Sequence, residues 1–253
     1  MSSLKVRDLC KTYIINKIQN NVLRNINFEI TEGEMVAIMG PSGSGKSTLL
    51  YVVSGMDKLT AGKVDYFGKE ISTFSANEIS DLRLNEMGFI FQQMHMLKNL
   101  SIYDNIILPA YQSKNGKSKK EVNSRAKELM NKLGISEIAE NDINQVSGGQ
   151  LQRACICRSL INSPKMIFAD EPTGALNQQN SREVMRELNK INEDGTTIML
   201  VTHDMKVAAK CDRIMYIEDG AIKGEIQLGK FVEDNNFKDR ERKVNNWLME
   251  MGW

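Results

Sequence analysis

Histidine, tryptophan, proline and cysteine are scarce in this chain of 253 residues, with two, two, four and four copies respectively. The cysteines are Cys10, Cys155, Cys157 and Cys211, and the histidines are His95 and His203. So few scattered cysteines exclude a disulfide framework, and two isolated histidines do not complete a zinc-binding pattern with them. We therefore expect the cysteines to be small buried hydrophobic residues.

The chain also lacks a charge excess and a long apolar run. Lys and Arg total 33 against 32 for Asp and Glu, and a net charge of +1 argues against broad binding to nucleic acid or anionic lipid. No apolar run approaches the roughly 20 residues that span a bilayer. Residues 1–5 are not followed by the apolar segment of a secretory signal. We expect a cytosolic protein that reaches a membrane only through a partner.

Hydrophobic periodicity predicts an α/β fold, because strands and helices alternate along most of the chain. A helix-rich middle region begins near residue 93 and contains the polar loop Gln112–Lys117. The predicted strands are Ser3–Leu9, Ile26–Ile30, Met35–Met39, Gly88–Gln92, Lys165–Asp170, Thr196–Thr202, Arg213–Glu218 and Ala221–Ile226. The predicted helices are Lys46–Val53, Ala76–Asn85, Ile102–Tyr111, Lys119–Leu133, Gln178–Asn192 and Met205–Lys210.

A glycine-rich segment between a predicted strand and a predicted helix matches the phosphate-loop pattern G-x-x-x-x-G-K-S. It reads Gly40-Pro41-Ser42-Gly43-Ser44-Gly45-Lys46-Ser47 and is followed by Thr48. Glycine lets backbone N–H groups surround a phosphate, and a helix N-terminus favours negative charge. Lys46 can place a positive charge on the β- and γ-phosphates, and Ser47 can offer its hydroxyl to Mg²⁺. The segment predicts a site for ATP with Mg²⁺.

Two carboxylates follow a second apolar strand, Met166–Ala169. Asp170 is predicted to hold Mg²⁺ directly or through water, and Glu171 to polarise an attacking water as a general base. His203 follows the strand Ile198–Val201. Because parallel neighbouring strands end side by side, we expect His203 to lie at the same edge of the sheet as Glu171, within reach of the γ-phosphate.

The turn Val146-Ser147-Gly148-Gly149-Gln150 is by itself only a polar turn that starts a helix. Together with the phosphate loop, the carboxylate strand and His203, in this order, it carries a family resemblance. Over residues 3–228 the chain resembles the ATP-binding-cassette (ABC) ATPases. The resemblance implies a P-loop NTPase core in residues 1–228, with an N-terminal antiparallel β subdomain and a helical subdomain inserted at about 93–160. Residues 229–253 would form a C-terminal helical extension.

The resemblance assigns roles that the residues alone do not show. Tyr13 matches the aromatic residue that stacks on adenine. Gln92 matches the glutamine that contacts Mg²⁺ and water and senses the transporter partner. His203 steadies the γ-phosphate in this family. The signature residues, Ser147, Gly148, Gly149 and Gln150, would face the γ-phosphate that is bound by a second subunit.

The resemblance also implies two partners. Two ATPs would lie between two ATPase chains arranged head to tail, and a separate permease would contain the membrane spans. One position departs from the family pattern, because Asn177 stands where the family usually has Asp after Leu176. Hydrolysis should survive this change, since Asp170 and Glu171 remain, but coupling between the two ATP sites is in doubt.

The segments Gly88–Gln92 and Phe168–Leu176 resemble the corresponding segments of one branch of the family. This branch serves macrolide efflux, lipoprotein release and resistance to bacitracin-type or lantibiotic peptides. We expect an ATP-hydrolysing subunit, on the cytoplasmic face of the membrane, that powers a permease for antimicrobial peptides. The alternatives are a lipoprotein-release or macrolide-efflux motor, a soluble ABC ATPase with a non-membrane partner, and a switch that barely hydrolyses. A single cassette without a long coiled coil disfavours the soluble type, and Glu171 with His203 disfavours the switch.

The C-terminal tail carries an apolar helical face made of Phe237, Val244, Leu248 and Met251, with Trp247 and Trp253 nearby. Three interpretations remain open from sequence alone. The helix could dock on its own domain, contact the permease or the second ATPase chain, or lie on a membrane surface.

Overall fold

The computed structural model describes residues 1–113, 116–232 and 237–253. Residues 114–115 of the predicted loop Gln112–Lys117 and residues 233–236 of the predicted C-terminal extension lie outside the described residues. The strands are β1 (Ser2–Ile15), β2 (Ile18–Thr31), β3 (Met35–Met39), β4 (Ala61–Tyr66), β5 (Lys69–Glu70), β6 (Met87–Phe91), β7 (Met166–Asp170), β8 (Thr197–Val201), β9 (Arg213–Glu218) and β10 (Ala221–Gln227). The helices are α1 (Lys46–Val53), α2 (Ala76–Glu86), α3 (Ile102–Gln112), α4 (Lys119–Lys132), α5 (Gly148–Leu160), α6 (Gln178–Glu193), α7 (Met205–Ala208) and α8 (Phe237–Glu250).

A six-stranded sheet forms the centre of the molecule, with the order β10-β9-β3-β8-β7-β6. The strands from β9 to β6 run parallel, and β10 returns antiparallel to β9. Every residue of β3, β7 and β8 is buried, as expected for parallel strands that helices cover on both faces. This topology confirms the predicted α/β fold with a parallel sheet.

The pleat of the central strands divides the buried residues between two hydrophobic cores. Met35, Ala37 and Met39 of β3 pack with α3, α4, α5 and α6 on one face. Val36 and Ile38 pack on the other face with α1 and the antiparallel sheet. Because successive side chains of a strand point to opposite faces, one short strand joins the two cores.

The N-terminal antiparallel sheet has the order β2-β1-β4-β5 and extends further than predicted. β1 and β2 are 14 residues each, and their pairing continues to the hairpin turn. In the half nearest that turn, which we call the far half of the hairpin, Tyr13 lies opposite Asn20. Side chains in residues 19–21 are exposed, so this half lacks the apolar alternation that marks a half-buried strand. β4 and β5 were not predicted, since Val64 and Tyr66 are the only fully buried side chains in β4.

A helical region is inserted between β6 and β7 and contains α3, α4 and α5. Ser101, Ser118 and Ser147 are the N-cap residues of these helices, and each side chain accepts a backbone N–H three residues later. Cys155 and Cys157 of α5 are fully buried in the core, and Cys211 is buried after α7, whereas Cys10 in β1 is only partly buried, contrary to the prediction. Burial raises the pKa of the Cys155 thiol to about 11, which fits the expected role as an inert hydrophobic residue.

The C-terminal helix α8 packs on its own chain, which is the first of the three interpretations of the tail. Val244 and Leu248 are buried in the core, and the ring of Trp247 meets that of Tyr216 edge to face. Arg240 is also buried and donates to the carbonyls of Ala209, Cys211 and Leu228. This guanidinium therefore fastens α8 to the segment that follows α7.

Candidate functional site

The carboxyl ends of β3, β8 and β7 lie side by side and form one edge of the central sheet. Val201 of β8 is in register with both Ile38 of β3 and Asp170 of β7. The loops that follow these three strands therefore emerge together, as is usual for binding sites in open α/β sheets. They carry the phosphate loop, the pair Asp170–Glu171 and His203.

The phosphate loop spans residues 40–47 between β3 and α1, and its backbone requires glycine at two positions in particular. Gly40 and Gly45 have φ angles of +152° and +100°. A Cβ at residue 40 would stand 2.0 Å from the Ile217 carbonyl oxygen, and one at residue 45 would stand 2.9 Å from a methyl carbon of Leu23. The Gly220 N–H also donates to the Ser44 carbonyl at 3.2 Å. The loop therefore rests closely on the β9–β10 turn and on β2.

Lys46 lies at the first position of α1 and turns back across the phosphate loop. Its Nζ donates to the carbonyl oxygens of Gly40 and Pro41, each at 2.8 Å. Burial lowers the pKa of Lys46, and the nearby carboxylates of Glu171 and Asp170 act in the opposite direction. The ammonium is thus held at the mouth of the loop, where a phosphate would meet it.

Asp170 ends β7 and is only 8% exposed. The Ser47 hydroxyl donates to its Oδ1 at 2.9 Å, and the Tyr51 hydroxyl donates to its Oδ2 at 2.7 Å. A hydroxyl and a carboxylate suit Mg²⁺, which prefers oxygen ligands and usually takes only one or two from the protein. The described residues contain no cluster of three or more His, Cys, Asp or Glu side chains that could hold a metal. The donor set therefore fits a cation shared with a nucleotide rather than a protein-only metal site.

Glu171 and His203 are paired at the same edge. His203 Nδ1 lies 2.9 Å from Glu171 Oε1, and the imidazole is largely exposed while the carboxylate is largely buried. Glu171 has a φ of +48°, and its N–H donates to the Val201 carbonyl at 3.0 Å. A left-handed backbone is costly for a residue other than glycine and is often found at functional sites. The left-handed conformation therefore accompanies the pairing of Glu171 with His203.

Tyr13 lies in the far half of the β1–β2 hairpin and is fixed from two sides. Its hydroxyl donates to Asp57 Oδ2 at 2.6 Å, and Lys11 Nζ lies 4.5 Å from the ring centroid. Lys11 also donates to the other oxygen of Asp57 at 2.8 Å. Burial, followed by the hydrogen bond to Asp57, raises the pKa of Tyr13 to about 12. The side chain of Thr48, in α1 directly after the phosphate loop, acts in the opposite direction and lowers the pKa of Tyr13.

Gln92 follows β6, and its exposed side chain lies against the turn after Glu171. A Cβ at Gly174 would stand 3.1 Å from Gln92 Nε2 and 3.4 Å from the Cβ of Glu171. The absence of a side chain at residue 174 therefore leaves room for the amide of Gln92 beside the carboxylate strand.

The signature residues, Ser147, Gly148, Gly149 and Gln150, form the N-terminus of α5. Ser147 and Gln150 make reciprocal hydrogen bonds, with the Ser147 hydroxyl accepting the Gln150 N–H. The first N–H groups of a helix have no intrahelical acceptor, so those of Gly148 and Gly149 remain for a ligand. In the described ranges, no hydrogen bond joins these four residues to residues 40–47.

The sequence profile of the ABC transporter family matches residues 23–174, more than half of the chain. The chain belongs to the ABC transporter family. Its curated relatives include the macrolide export ATP-binding/permease protein MacB of Pasteurella multocida, which is 39% identical over 248 residues. MacB of Bartonella henselae is 46% identical over 201 residues. These alignments cover 98% and 79% of this chain but 37% and 30% of the relatives, so the chain spans about a third of their length.

Solved structures confirm the ABC ATPase fold. Two structures of the ATP-binding cassette MJ0796 match with a TM-score of 0.83 and 38% identity, covering 90% of this chain and 100% of theirs. One is described as a dimeric structure of a post-hydrolysis state bound to ADP and Pi, the other as dimeric. Membership of the ABC transporter family and the ABC cassette fold indicate an enzyme that hydrolyses ATP. No helix in the described residues is long and apolar enough to cross a membrane.

Sequence reasoning missed three side chains that contact the candidate site residues. Tyr51 donates to Asp170, and Lys11 and Asp57 hold Tyr13. Tyr51 was open to prediction, since a residue four positions after Ser47 lies on the same face of α1. Lys11 and Asp57 are 46 residues apart, and no local pattern joins them.

Proposed function

We propose that this chain is the motor subunit of a bacterial ABC transporter, which hydrolyses ATP with Mg²⁺ and drives a separate permease. The observation that carries the proposal is the meeting of Lys46, Asp170, Glu171 and His203 at one edge of the sheet. At this edge Lys46 provides positive charge, Asp170 a cation ligand and Glu171 a general base, with His203 beside it.

In the proposed reaction, residues 40–48 bind the phosphates and Tyr13 stacks on the adenine. Ser47 and Asp170 hold Mg²⁺, with Gln92 beside them, and the cation when bound neutralises charge on the phosphate oxygens. Glu171 accepts a proton from water as the water oxygen bonds to the γ-phosphorus. The bond from that phosphorus to the β-phosphate oxygen breaks, and ADP and phosphate leave.

The remaining side chains prepare this step. His203 holds Glu171 through the 2.9 Å contact and is placed to approach the γ-phosphate from its exposed side. Lys46 donates to two loop carbonyls in the structure, and we expect it to exchange them for phosphate oxygens. A phosphate oxygen is negatively charged, so each new hydrogen bond would join two ionised groups, whereas the carbonyl acceptors are neutral.

A second chain completes each ATP site in our proposal. The N–H groups at the N-terminus of α5 suit an anion, and among the described residues no hydrogen bond joins the signature residues to the phosphate loop of the same chain. Two chains arranged head to tail would place Ser147, Gly148, Gly149 and Gln150 of one against the γ-phosphate of the other. The MJ0796 cassette structures are described as dimeric, which supports the pairing of two chains.

A groove beside Gln92 is the surface that we propose for the permease. Its volume is about 500 Å³, and its lining combines apolar residues such as Leu97 and Leu108 with Arg83 and Arg158. Leu97 is 47% exposed, and Arg158 donates to the carbonyl of Met94 at 2.7 Å. A short amphipathic or acidic helix fits such a groove and would hold the chain at the cytoplasmic face of the membrane.

The transported substance would be chosen by the permease. The MacB relatives are named for macrolide export, and the phrases around Gln92 and Glu171 resemble the branch that also handles antimicrobial peptides. We therefore propose an antimicrobial compound, with a bacitracin-type or lantibiotic peptide as the first candidate class.

The test is purification of tagged Glu171→Gln protein with ATP from detergent-solubilised native membranes. The expected partner is an integral membrane protein with few spanning helices, identified by mass spectrometry. Leu97→Asp should abolish its recovery while ATP binding persists. Met249→Asp, at a 68% exposed position on α8, is the matched control and should retain it. Recovery of ribosomes or of no membrane protein would refute the transport role.

A further inference from the structure

Asp170 is held by two hydroxyl groups from one helix. Ser47 and Tyr51 are four residues apart in α1, so their side chains lie on the same helix face. Ser47 donates to Oδ1 and Tyr51 donates to Oδ2 of the same carboxylate. Both oxygens therefore have a fixed partner, which sets the rotation of the carboxylate as well as its position.

The hydroxyls of Ser47 and Tyr51 differ in whether a bound cation would draw them away from Asp170. Ser47 is part of the phosphate loop, and a cation bound beside the β- and γ-phosphates would draw its hydroxyl away from Asp170. Tyr51 lies one turn further along α1, where its ring packs against the core that contains α1 and the antiparallel sheet. Its hydroxyl is anchored by that ring and remains on Oδ2 when Ser47 turns to the cation.

We propose that Tyr51 is a positioning residue, which orients the Asp170 carboxylate toward a divalent cation through a hydrogen bond to Oδ2. The proposal rests on the metal site of Ser47 and Asp170 in the proposed function. Groups that hydrogen-bond to a ligating carboxylate typically change metal affinity 10–100-fold when removed. A ring that only filled space in the core would have no such effect.

Tyr51→Phe removes the hydroxyl and keeps the ring, so it separates positioning from packing. All variants are made in protein that also carries Glu171→Gln, because ATP is then not hydrolysed during the binding measurement. A fluorescent ATP analogue is titrated with Mg²⁺ and with EDTA, and the ratio of the two dissociation constants gives the affinity gained from the cation. We expect Tyr51→Phe to reduce this gain roughly tenfold while the dissociation constant in EDTA stays unchanged.

Two further variants make the result decisive. Tyr111→Phe is the matched control, because its exposed hydroxyl also donates to a side-chain oxygen, that of Asn123 at 2.9 Å, far from the phosphate loop in sequence. It should leave the cation-dependent gain intact. Asp170→Asn should abolish the gain. If Tyr51→Phe yields no folded protein, Tyr51→Leu replaces it with the same expected loss.

The outcomes separate this proposal from the proposed function. A full gain in Tyr51→Phe together with its loss in Asp170→Asn would overturn the role of Tyr51 alone. A full gain in Asp170→Asn would overturn the proposed metal site itself. A tenfold smaller gain in Tyr51→Phe, with normal binding in EDTA and an intact Tyr111→Phe control, supports the positioning role.

Discussion

The phosphate loop and the signature turn are both glycine-containing segments at the N-terminus of a helix, yet their surroundings differ. The phosphate loop lies where three parallel strands end, next to the loops that carry Glu171 and His203, and Ser47 of the loop donates to Asp170 of β7. The signature turn exposes Ser147 and Gly148 and offers backbone N–H groups with no charged side chain of its own. In our proposal the first region supplies the groups that cleave a phosphate bond, and the second supplies only backbone N–H groups for an anion.

This difference explains why one chain would not act alone. A helix N-terminus stabilises negative charge by its free N–H groups and its dipole, but it supplies no base and no cation ligand. The edge of the sheet that carries the phosphate loop has both in our proposal, and residues 41–43 of the loop are exposed. In our proposal the two regions are therefore complementary halves with separate roles.

The largest expected effect is at Lys46. Lys46→Ala removes the positive charge at the phosphate loop, and we expect ATP turnover to fall by at least about 10²–10³-fold, to the background of the assay. Phosphate release measured at saturating Mg²⁺ and ATP checks this. Lys63→Ala removes an exposed lysine that pairs with Glu70 and should keep wild-type turnover. Normal turnover in Lys46→Ala would show that the phosphate loop is not the ATP site.

The pH dependence of binding gives a second measurement at the same residue. Burial lowers the pKa of Lys46, so its charged form persists below that pKa and is lost as the pH rises through it. ATP affinity should therefore decline at a lower pH than for an ordinary lysine. Lys46→Arg, whose guanidinium stays charged, should remove this decline even where it weakens binding.

The next largest effect is expected at the signature turn. Gly148→Asp places a carboxylate where we expect the γ-phosphate of the second chain, and a Cβ there meets only Leu176 at 3.7 Å. Acidic residues are favourable in the first turn of a helix, so the fold should be kept. We expect turnover to fall by about 10²-fold while ATP binding to the single chain is unchanged. Gly148→Asn is the neutral control of similar size, and an equal loss in it would point to steric blockage instead of charge.

A smaller effect is expected for the adenine. Tyr13→Ala should weaken nucleotide binding by about 1–3 kcal/mol, the usual loss for a stacked base. Tyr13→Phe keeps the ring but loses the hydrogen bond to Asp57, so its affinity should lie between those of Tyr13→Ala and the wild type. Titration with ATP and GTP checks both variants. Equal binding by Tyr13→Ala and the wild type would remove Tyr13 from the site.

The phosphate loop and the signature turn could both be predicted from sequence, because each is a motif of consecutive residues. The bounds of the strands and helices beside them also follow the apolar pattern closely. The pair Glu171–His203 could also be foreseen, since parallel strands end side by side. The roles of Tyr13, Gln92 and the signature came from the family resemblance and stay predictions here.

What could not be foreseen depends on distant contacts. The far half of the β1–β2 hairpin is held by backbone pairing, so its exposed side chains give no periodic signal. The short strand β5 consists only of Lys69 and Glu70, too few residues for a pattern. The contact of Tyr51 with Asp170 joins residues 119 positions apart, and only the packing of α1 against β7 creates it.

The smallest expected effect concerns Asn177, the residue that departs from the family pattern. Asn177 is the N-cap of α6, and its side chain accepts the Asn180 N–H at 2.9 Å. Asp caps a helix as well as Asn does, so Asn177→Asp should change the free energy of unfolding by only a few tenths of a kcal/mol, whereas Asn177→Ala should cost about 1 kcal/mol. Urea denaturation compares them. A large loss in Asn177→Asp would show that the neutral amide has a structural role beyond capping.

The complementarity of the two regions is tested most directly by the mass of Glu171→Gln protein in solution, measured by light scattering with and without ATP and Mg²⁺. The account predicts a nucleotide-dependent doubling of mass with two ATPs bound per pair, and its loss when Gly148→Asp is added. ATP-loaded protein that remains a single chain, or a pair that forms equally well with Gly148→Asp, would contradict it.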